Sequence, residues 1–295
     1  MNQPILVAGA SGFVGRALVA AAAARGHAVR ALARRPHPAP PGVTAITADV
    51  NDFEATARAL DGAAAAIYLV HGLADPRFRR RDLDAARRFG AAARAAGVER
   101  IVYLGALGDA DGDRTPHVTS RREVAAALRL RGIPVTELRA AVVVGRGSAV
   151  IELFRRLAAR SPLLVAPHGS ARRVQPIALA DAVAALLAPL ADDTPGDATH
   201  EIGGDTVLTW HAFMQRCLPC LGSHRRLHAM PIATPRLSGL WMRAFGGMPL
   251  TMGTEFIRNL GHDAIARDDH TRALIGRAPT PLDRALREAL VDHVG

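Results

Sequence analysis

Three glycines near the start of the chain, Gly9, Gly12 and Gly15, have the spacing of a diphosphate-binding turn. They follow an apolar run at residues 5–8 and precede an alanine-rich amphipathic segment, which is the context of a strand, a turn and a helix. Gly9 would allow the tight turn, Gly12 would leave the backbone N–H groups accessible, and Gly15 would let the helix lie close to the sheet. The helix N-terminus favours the negative diphosphate. A turn without a ligand is the alternative. The contacts predicted for a dinucleotide here are Gly9, Ser11, Gly12, Phe13, Val14 and Gly15.

Two arginines, Arg34 and Arg35, stand at the end of the second predicted strand, about twenty residues after the glycine turn. An acidic residue at this place binds the ribose 2′-hydroxyl of NAD, whereas arginine accommodates the 2′-phosphate of NADP. The planar guanidinium suits a phosphate. The sequence therefore predicts NADP(H) rather than NAD(H). The alternative is that both arginines are solvated loop residues.

The ends of two later strands supply further predicted contacts. Asp49 and Val50 follow the third predicted strand and are expected to meet the adenine. Val70, His71 and Gly72 follow the fourth and are expected along the cofactor towards the nicotinamide. The reason is that the carboxyl ends of parallel strands meet at one edge of the sheet, where ligands bind.

Strand and helix signals alternate along the first two thirds of the chain, which predicts a doubly wound parallel α/β sheet with right-handed crossovers. Strands are predicted at residues 5–8, 28–33, 43–47, 64–70, 100–104, 134–145 and 200–204. We expect a Rossmann-type core over residues 1–205. Residues 206–295 are expected to form a small, mostly helical lobe for the substrate, built partly from residues 145–178.

The composition excludes several classes of protein. The chain has 295 residues, a formal charge of +10 and only two cysteines, which argues against a disulfide scaffold and favours a cytoplasmic location. No apolar run is long enough to cross a membrane. Scattered arginines and few aromatic residues argue against nucleic-acid binding. Lysine is absent, which excludes Schiff-base chemistry on a lysine.

Motifs of one known family follow one another in order over about the first 205 residues. They read GASGFVG, LARRP, IYLVHG, VYLGALGD, SRREV, LRLRGIPVTELRAAVVVG, VQPIALADAV and HEIGG. These motifs resemble the atypical and extended branches of the short-chain dehydrogenase/reductase superfamily. The run from Tyr103 to Thr209 is similar to a bacterial NAD(P)H-binding group related to the nitrogen-metabolite-repression regulators. The resemblance implies a Rossmann fold, a bound nicotinamide cofactor and oxidoreductase activity on a small apolar carbonyl or enone.

The chain departs from that superfamily at the residues that move the proton. Redox members use a serine after the fifth strand and a Tyr-x-x-x-Lys pair on the next helix. Here the serine position falls at Gly105 or Ala106, and His117 and Arg121 have the spacing of the tyrosine and lysine. The only tyrosines of the chain, at positions 68 and 103, lie within predicted core strands.

Two interpretations of this departure stay open. In the first, His117 is the general acid, since histidine titrates near neutral pH, and Arg121 holds the nicotinamide ribose. In the second, both residues only position the cofactor, with any proton coming from elsewhere. The competing functions are a non-catalytic NADP(H) sensor or partner-binding protein and a cofactor-assisted isomerase or epimerase. The expected partner is a small-molecule substrate, and the chain is expected to be a monomer or homodimer.

Four residues, Cys217, Cys220, His224 and His228, have a spacing that suggests a zinc site. Zinc fingers have a longer spacer between the two pairs, and Pro219 disturbs the helix that would align them. We therefore expect no metal, and a redox-active Cys-x-x-Cys pair is the less favoured alternative.

Several other residues near the predicted cleft have two interpretations each. His168 is either a substrate contact or a surface loop residue. Arg139 and Asp181 are expected in packing and capping. An apolar group could line a substrate pocket, pack the lobe or, least favoured, touch a membrane; it consists of Trp241, Met242, Phe245 and Met248.

Overall fold

A seven-stranded parallel sheet is the centre of the computed structural model, which describes residues 3–108, 115–167, 170–191, 196–229, 235–268 and 270–290. The strands are β1 (Ile5–Ala8), β2 (Val29–Ala33), β3 (Val43–Thr47), β4 (Ala65–Tyr68), β5 (Arg100–Ala106), β6 (Val135–Ala140), β7 (Val143–Val144), β8 (Val165–Ala166), β9 (Arg173–Val174), β10 (Ile177–Ala178), β11 (Ala198–Ile202), β12 (Leu208–Thr209) and β13 (His228–Ala229). The sheet order is β11-β6-β5-β4-β1-β2-β3, and the remaining strands form two-residue pairs. The predicted doubly wound sheet is confirmed.

Helices cover both faces of this sheet and continue beyond it. They are α1 (Phe13–Ala24), α2 (Phe53–Leu60), α3 (Phe78–Ala95), α4 (Pro116–Arg129), α5 (Ala149–Arg160), α6 (Leu179–Leu187), α7 (Trp210–Cys220), α8 (Pro235–Gly246), α9 (Leu250–Leu260), α10 (Thr271–Ile275) and α11 (Leu282–Leu290). Helices α1 and α6 pack on one face of the sheet, and α2, α3 and α4 pack on the other. Within the part of the chain that is described, no helix combines the length and apolar character needed to cross a membrane.

The central strands are apolar along their whole length because helices bury both faces. All four residues of β1 and all four of β4 are buried. These two strands are neighbours and pair in parallel. After β1 the chain adds β2 and β3 on one side, and after β4 it adds β5, β6 and β11 on the other side. A crevice therefore opens at their carboxyl ends, where open α/β sheets bind ligands.

Two apolar cores lie on the two faces of the sheet, and a third lies away from it. The third core is built from α5, α7, α8, α9 and α11, and its centre is an aromatic cluster of Phe154, Trp210, Phe213 and Phe256. Helix α7 runs to Cys220. Pro219 is accommodated in its final turn.

Asp181 has a different role from the expected helix cap. Ala178 occupies the N-cap position of α6, and the fully buried carboxylate of Asp181 instead accepts hydrogen bonds from the Thr280 N–H (2.6 Å) and hydroxyl (3.0 Å). It also pairs with Arg277. Asp181 therefore ties the segment before α11 to α6. Arg139 is a packing residue, as expected, since it pairs with the buried Glu137 at 3.0 Å.

Candidate functional site

The glycine turn between β1 and α1 has the geometry that a dinucleotide requires. Gly9 has φ +87°, a conformation that favours glycine. A Cβ atom on Gly15 would lie 2.2 Å from the Gly9 carbonyl oxygen, so only glycine allows α1 this close to the turn. Gly12 is the N-cap residue of α1, and a Cβ there would meet only the Gly9 oxygen, at 3.2 Å. The cradle thus fits a diphosphate at the N-terminus of α1.

The predicted adenosine contacts lie at the carboxyl ends of β2 and β3. Arg34 and Arg35 directly follow β2, and both are exposed. The Asp49 carboxylate accepts hydrogen bonds from the Asn51 backbone N–H and side-chain amide, at 2.9 and 2.8 Å. Val50 is buried in the core under α2 and α3, so its side chain packs inward.

A cleft of about 300 Å³ lies beside the turn, between the sheet edge and α9. It is mostly apolar, and its far wall contains Trp210, Met248, Met252 and Phe256. It brings together several residues singled out from the sequence, namely Phe13, Val14, His71, Gly105, His117 and Arg121. The other predicted contacts lie outside its lining; they are Gly9, Ser11, Gly12, Gly15, Arg34, Arg35, Asp49, Val50, Val70 and Gly72.

Helix α4 positions two of the cleft residues. Thr115 caps the helix by accepting a hydrogen bond from the Val118 N–H (3.3 Å), and Pro116 takes the first helical position. His117 and Arg121 are four residues apart and therefore project from the same face of α4. Together with Gly105 they line the cleft.

Arg121 is held by a buried acid that the sequence analysis missed. Its guanidinium lies 3.9 Å from the Asp82 carboxylate, and both side chains are at most 7% exposed. Desolvation raises the pKa of Asp82, and the charge of Arg121 opposes that shift. Asp82 lies within an arginine-rich stretch of α3 that reads as a solvated surface. Asp82 lies three, four and seven residues before Ala85, Ala86 and Phe89, which are buried on one face of α3. This helical spacing is the signal that could have predicted its burial.

His117 is partly buried beside this pair. Its Nδ1 atom is buried and has no hydrogen-bond partner among the described residues. Desolvation, reinforced by the positive charge of Arg121 and by His71, holds the pKa of His117 well below its usual range. The imidazole is therefore neutral at pH 7, and in this state it offers an N–H donor rather than an imidazolium acid.

Gly105, which stands where the superfamily that the sequence resembles has a serine, lies directly beside a buried charge. A Cβ on Gly105 would lie 2.8 Å from a carboxylate oxygen of Glu137, which is completely buried. The guanidinium groups of Arg122, Arg129 and Arg139 lie 3.0 to 3.4 Å from that carboxylate. The packing of Glu137 thus leaves no room for a serine side chain.

Both tyrosines are inaccessible to a substrate in the cleft. Tyr68 and Tyr103 are completely buried, as their strand positions predicted. Burial raises the pKa of Tyr103 to about 12, and its hydroxyl donates to the Arg121 carbonyl at 3.3 Å. Burial also raises the pKa of Tyr68. Neither phenol can replace the missing proton donor.

The other groups singled out from the sequence do not gather at the cleft. Burial raises the pKa of both the Cys217 and the Cys220 thiol, which makes them poor nucleophiles. No three His, Cys, Asp or Glu side chains converge as metal ligands within the described residues. His168 lies outside the described residues. Of the apolar group near α8, only Met248 lines the cleft, and its other members, Trp241, Met242 and Phe245, pack in or against the third core.

The sequence matches one protein family and two named relatives. Residues 9–141 match the family described as NAD(P)H-binding. Ceramide reductase from Caulobacter vibrioides is 29% identical over 270 residues, covering 88% of this chain and 84% of the relative. A 3-beta-hydroxysteroid dehydrogenase from Mycolicibacterium neoaurum is 34% identical over 137 residues, covering 40% of this chain and 37% of the relative.

Solved structures with the same fold include reductases and sugar epimerases. Triphenylmethane reductase from Citrobacter sp. superposes with a TM-score of 0.78 at 21% identity, over 97% of this chain and 99% of that one. A second structure of that enzyme is complexed with NADP(H). UDP-glucose 4-epimerase from Thermotoga maritima gives a TM-score of 0.75 at 14% identity, over 97% of both chains. These similarities establish a Rossmann-type fold along nearly the whole chain.

Alanine substitutions at two glycines should separate folding from cofactor binding. Gly15→Ala should lower the free energy of unfolding by roughly 2 kcal/mol or more, because the added methyl overlaps the Gly9 carbonyl. Gly12→Ala should lower it by less than about 1 kcal/mol yet weaken NADPH binding about tenfold, since the methyl obstructs the diphosphate. Denaturant unfolding and NADPH titration measure the two effects. Unchanged NADPH affinity in Gly12→Ala would contradict the assigned diphosphate site.

The low pKa of His117 should appear as a dependence of stability on pH. Between that pKa and about 6.5 the unfolded chain binds a proton that the folded chain does not, so stability should fall as pH falls below about 6.5. The slope from one such group approaches about 1.4 kcal/mol per pH unit. His117→Asn should reduce the slope in the cofactor-free protein, whereas His224→Asn, at an exposed position, is the matched control. An identical slope in wild type and His117→Asn would mean that His117 is not held neutral by the fold.

Proposed function

We propose that this chain, a member of the atypical short-chain dehydrogenase/reductase superfamily, is an NADP(H)-dependent oxidoreductase that acts on a small apolar carbonyl or enone. One observation carries the proposal. The apolar cleft ends at His117, Arg121 and Gly105, the residues expected beside the nicotinamide. A cleft with an apolar wall and a few convergent polar groups is the usual form of a small-molecule site.

The choice of NADP(H) rests on Arg34 and Arg35. Both are exposed after β2, where a 2′-phosphate would lie, and the first acidic residue that follows, Asp49, uses its carboxylate within its own turn. The Citrobacter enzyme, which shares the fold, is known in complex with NADP(H). The reductase function of the relative from Caulobacter supports the direction of the reaction.

The cleft residues would assist hydride transfer through charge rather than through a phenol. NADPH, when bound, supplies the hydride to the carbonyl carbon. The cationic Arg121 would stabilise the negative charge that develops on the carbonyl oxygen. Neutral His117 would donate an N–H hydrogen bond to that oxygen, and solvent would supply the proton that completes the alcohol. Asp82 would keep Arg121 in place.

A non-catalytic NADP(H) sensor is the second candidate, and the departure from the family's proton relay favours it. Gly105 takes the place of the serine, and the neutral imidazole of His117 has no imidazolium proton to donate as a general acid. A sensor would bind NADPH at the same turn without oxidising it. The two candidates therefore differ in turnover and not in affinity.

A panel of apolar aldehydes, ketones and enones tests the proposal. With NADPH, at least one member should be reduced, as followed by the loss of NADPH absorbance and by product analysis. Arg34→Ala should weaken NADPH binding by about tenfold and leave NADH binding unchanged, because the lost contact is to the 2′-phosphate. His117→Ala should lower kcat by about tenfold or more, since the hydrogen bond forms in the transition state.

Arg80→Ala, on the exposed face of α3, is the control for the loss of a surface arginine. Retained NADPH that no carbonyl oxidises would support the sensor. Tighter binding of NADH than of NADPH, unaffected by Arg34→Ala, would contradict the assigned cofactor. Unchanged turnover in His117→Ala would remove the role given to that residue.

A further inference from the structure

The α8–α9 hairpin, residues 235–260, has two apolar faces. Its inner face reaches the cleft through Met248, Met252 and Phe256. Its outer face exposes Leu237, Leu240 and Leu250, at 58%, 51% and 37%.

Large exposed hydrophobic side chains are more concentrated on this hairpin than elsewhere on the described surface. Seven large hydrophobic residues are exposed in the described part of the chain, and three of them belong to this hairpin. Single exposed apolar residues are ordinary, but a group of them marks an interaction surface. The other four are separated along the chain and lie at Phe53, Leu130, Leu163 and Val207.

The charge around these leucines has one sign. Between residues 206 and 260 the sequence contains six arginines and a single acid, Glu255. Arg258 pairs with the buried Glu255, and Arg216 pairs with Asp283 on α11, so the charge beside the leucines comes from other arginines. Arg236 and Arg243 are exposed on α8 beside the leucines. The outer face is therefore apolar and positive, and the whole chain carries +10.

We propose that this outer face binds the surface of an anionic lipid bilayer. Arginines on such a face are attracted to anionic headgroups, and leucines between them enter the boundary between headgroups and acyl chains. The aliphatic stems of the arginines extend along the apolar surface while their charged ends stay at the headgroups.

The position of the hairpin also suggests a class of substrate, and this inference rests on the reductase function proposed above. The hairpin that would contact the bilayer also contributes to the apolar wall of the cleft, through Met248 between the helices and through Met252 and Phe256 on α9. An amphiphilic lipid with a carbonyl group could pass from the bilayer into the cleft without its chain crossing open water. Transfer of an exposed hydrocarbon chain through water would cost free energy in proportion to its apolar area.

Vesicle co-sedimentation of the full chain tests the surface directly. The protein should bind vesicles of phosphatidylglycerol and phosphatidylcholine, bind pure phosphatidylcholine at least about tenfold more weakly, and dissociate as salt rises. The double variants Leu237→Ser/Leu240→Ser and Arg236→Gln/Arg243→Gln should each bind anionic vesicles about tenfold more weakly. Leu130→Ser and Arg80→Gln, at exposed positions directly after α4 and on α3, are the controls and should bind as the wild type does. Thermal unfolding verifies that every variant is folded.

Three results would overturn the proposed surface. The first is that the wild type stays in the supernatant with anionic vesicles, and the second is that the control variants weaken binding as much as the hairpin variants do. The third is that the wild type is a dimer that does not bind vesicles and that the leucine variant is a monomer. In the last case the face would be a contact between two copies of this chain.

The substrate class has its own readout. Hairpin variants should reduce a short water-soluble carbonyl at the wild-type rate, yet reduce a long-chain carbonyl in anionic vesicles about tenfold more slowly. Equal rates on the vesicle substrate would overturn the assigned substrate class. Vesicle binding without NADPH oxidation on any carbonyl would overturn the proposed reductase function and support the surface alone.

Discussion

The contact between α1 and the glycine turn is the constraint on which the rest of the structure depends. Because Gly15 has no Cβ, the helix begins directly above the Gly9 carbonyl and at the carboxyl end of β1. Its free N–H groups therefore lie at the crevice beside β4, where the strand order reverses. The predicted contacts after β2, β3, β4 and β5 all follow strands that end at this edge.

Buried charge explains why the residues beside the expected nicotinamide differ from those of the superfamily. A carboxylate without solvent is stable only with cationic partners, and Glu137 has three arginines around it. That arrangement fills the space next to Gly105. On the neighbouring side of the cleft, Asp82 and Arg121 form a second buried pair. Desolvation of His117, reinforced by the charge of Arg121, lowers the pKa of the imidazole.

The α8–α9 hairpin connects the cleft to the molecular surface. Its helices pack closely because Gly253 meets Gly239, where a Cβ on Gly253 would lie 3.4 Å from the Gly239 Cα. Met248 and the α9 residue Met252 line the cleft, whereas Leu237 and Leu240 on α8 are exposed. The cleft wall and the proposed bilayer-binding surface therefore belong to the same hairpin.

The sequence by itself determined the sheet and the glycine turn, because these follow from local patterns. Continuous apolar runs such as β1 and β4 indicate buried parallel strands, and the spacing of Gly9, Gly12 and Gly15 specifies the turn. The grouping of Gly105, His117 and Arg121 was also predictable, because the motif order gives their places on β5 and α4.

Only the tertiary structure decided the partners of charged residues. The proximity of Asp82 to Arg121, of Glu137 to Gly105 and of Asp181 to Thr280 joins segments far apart in the chain, and so does the desolvation that keeps His117 neutral. Such contacts depend on which helix faces meet, and local sequence patterns do not specify that.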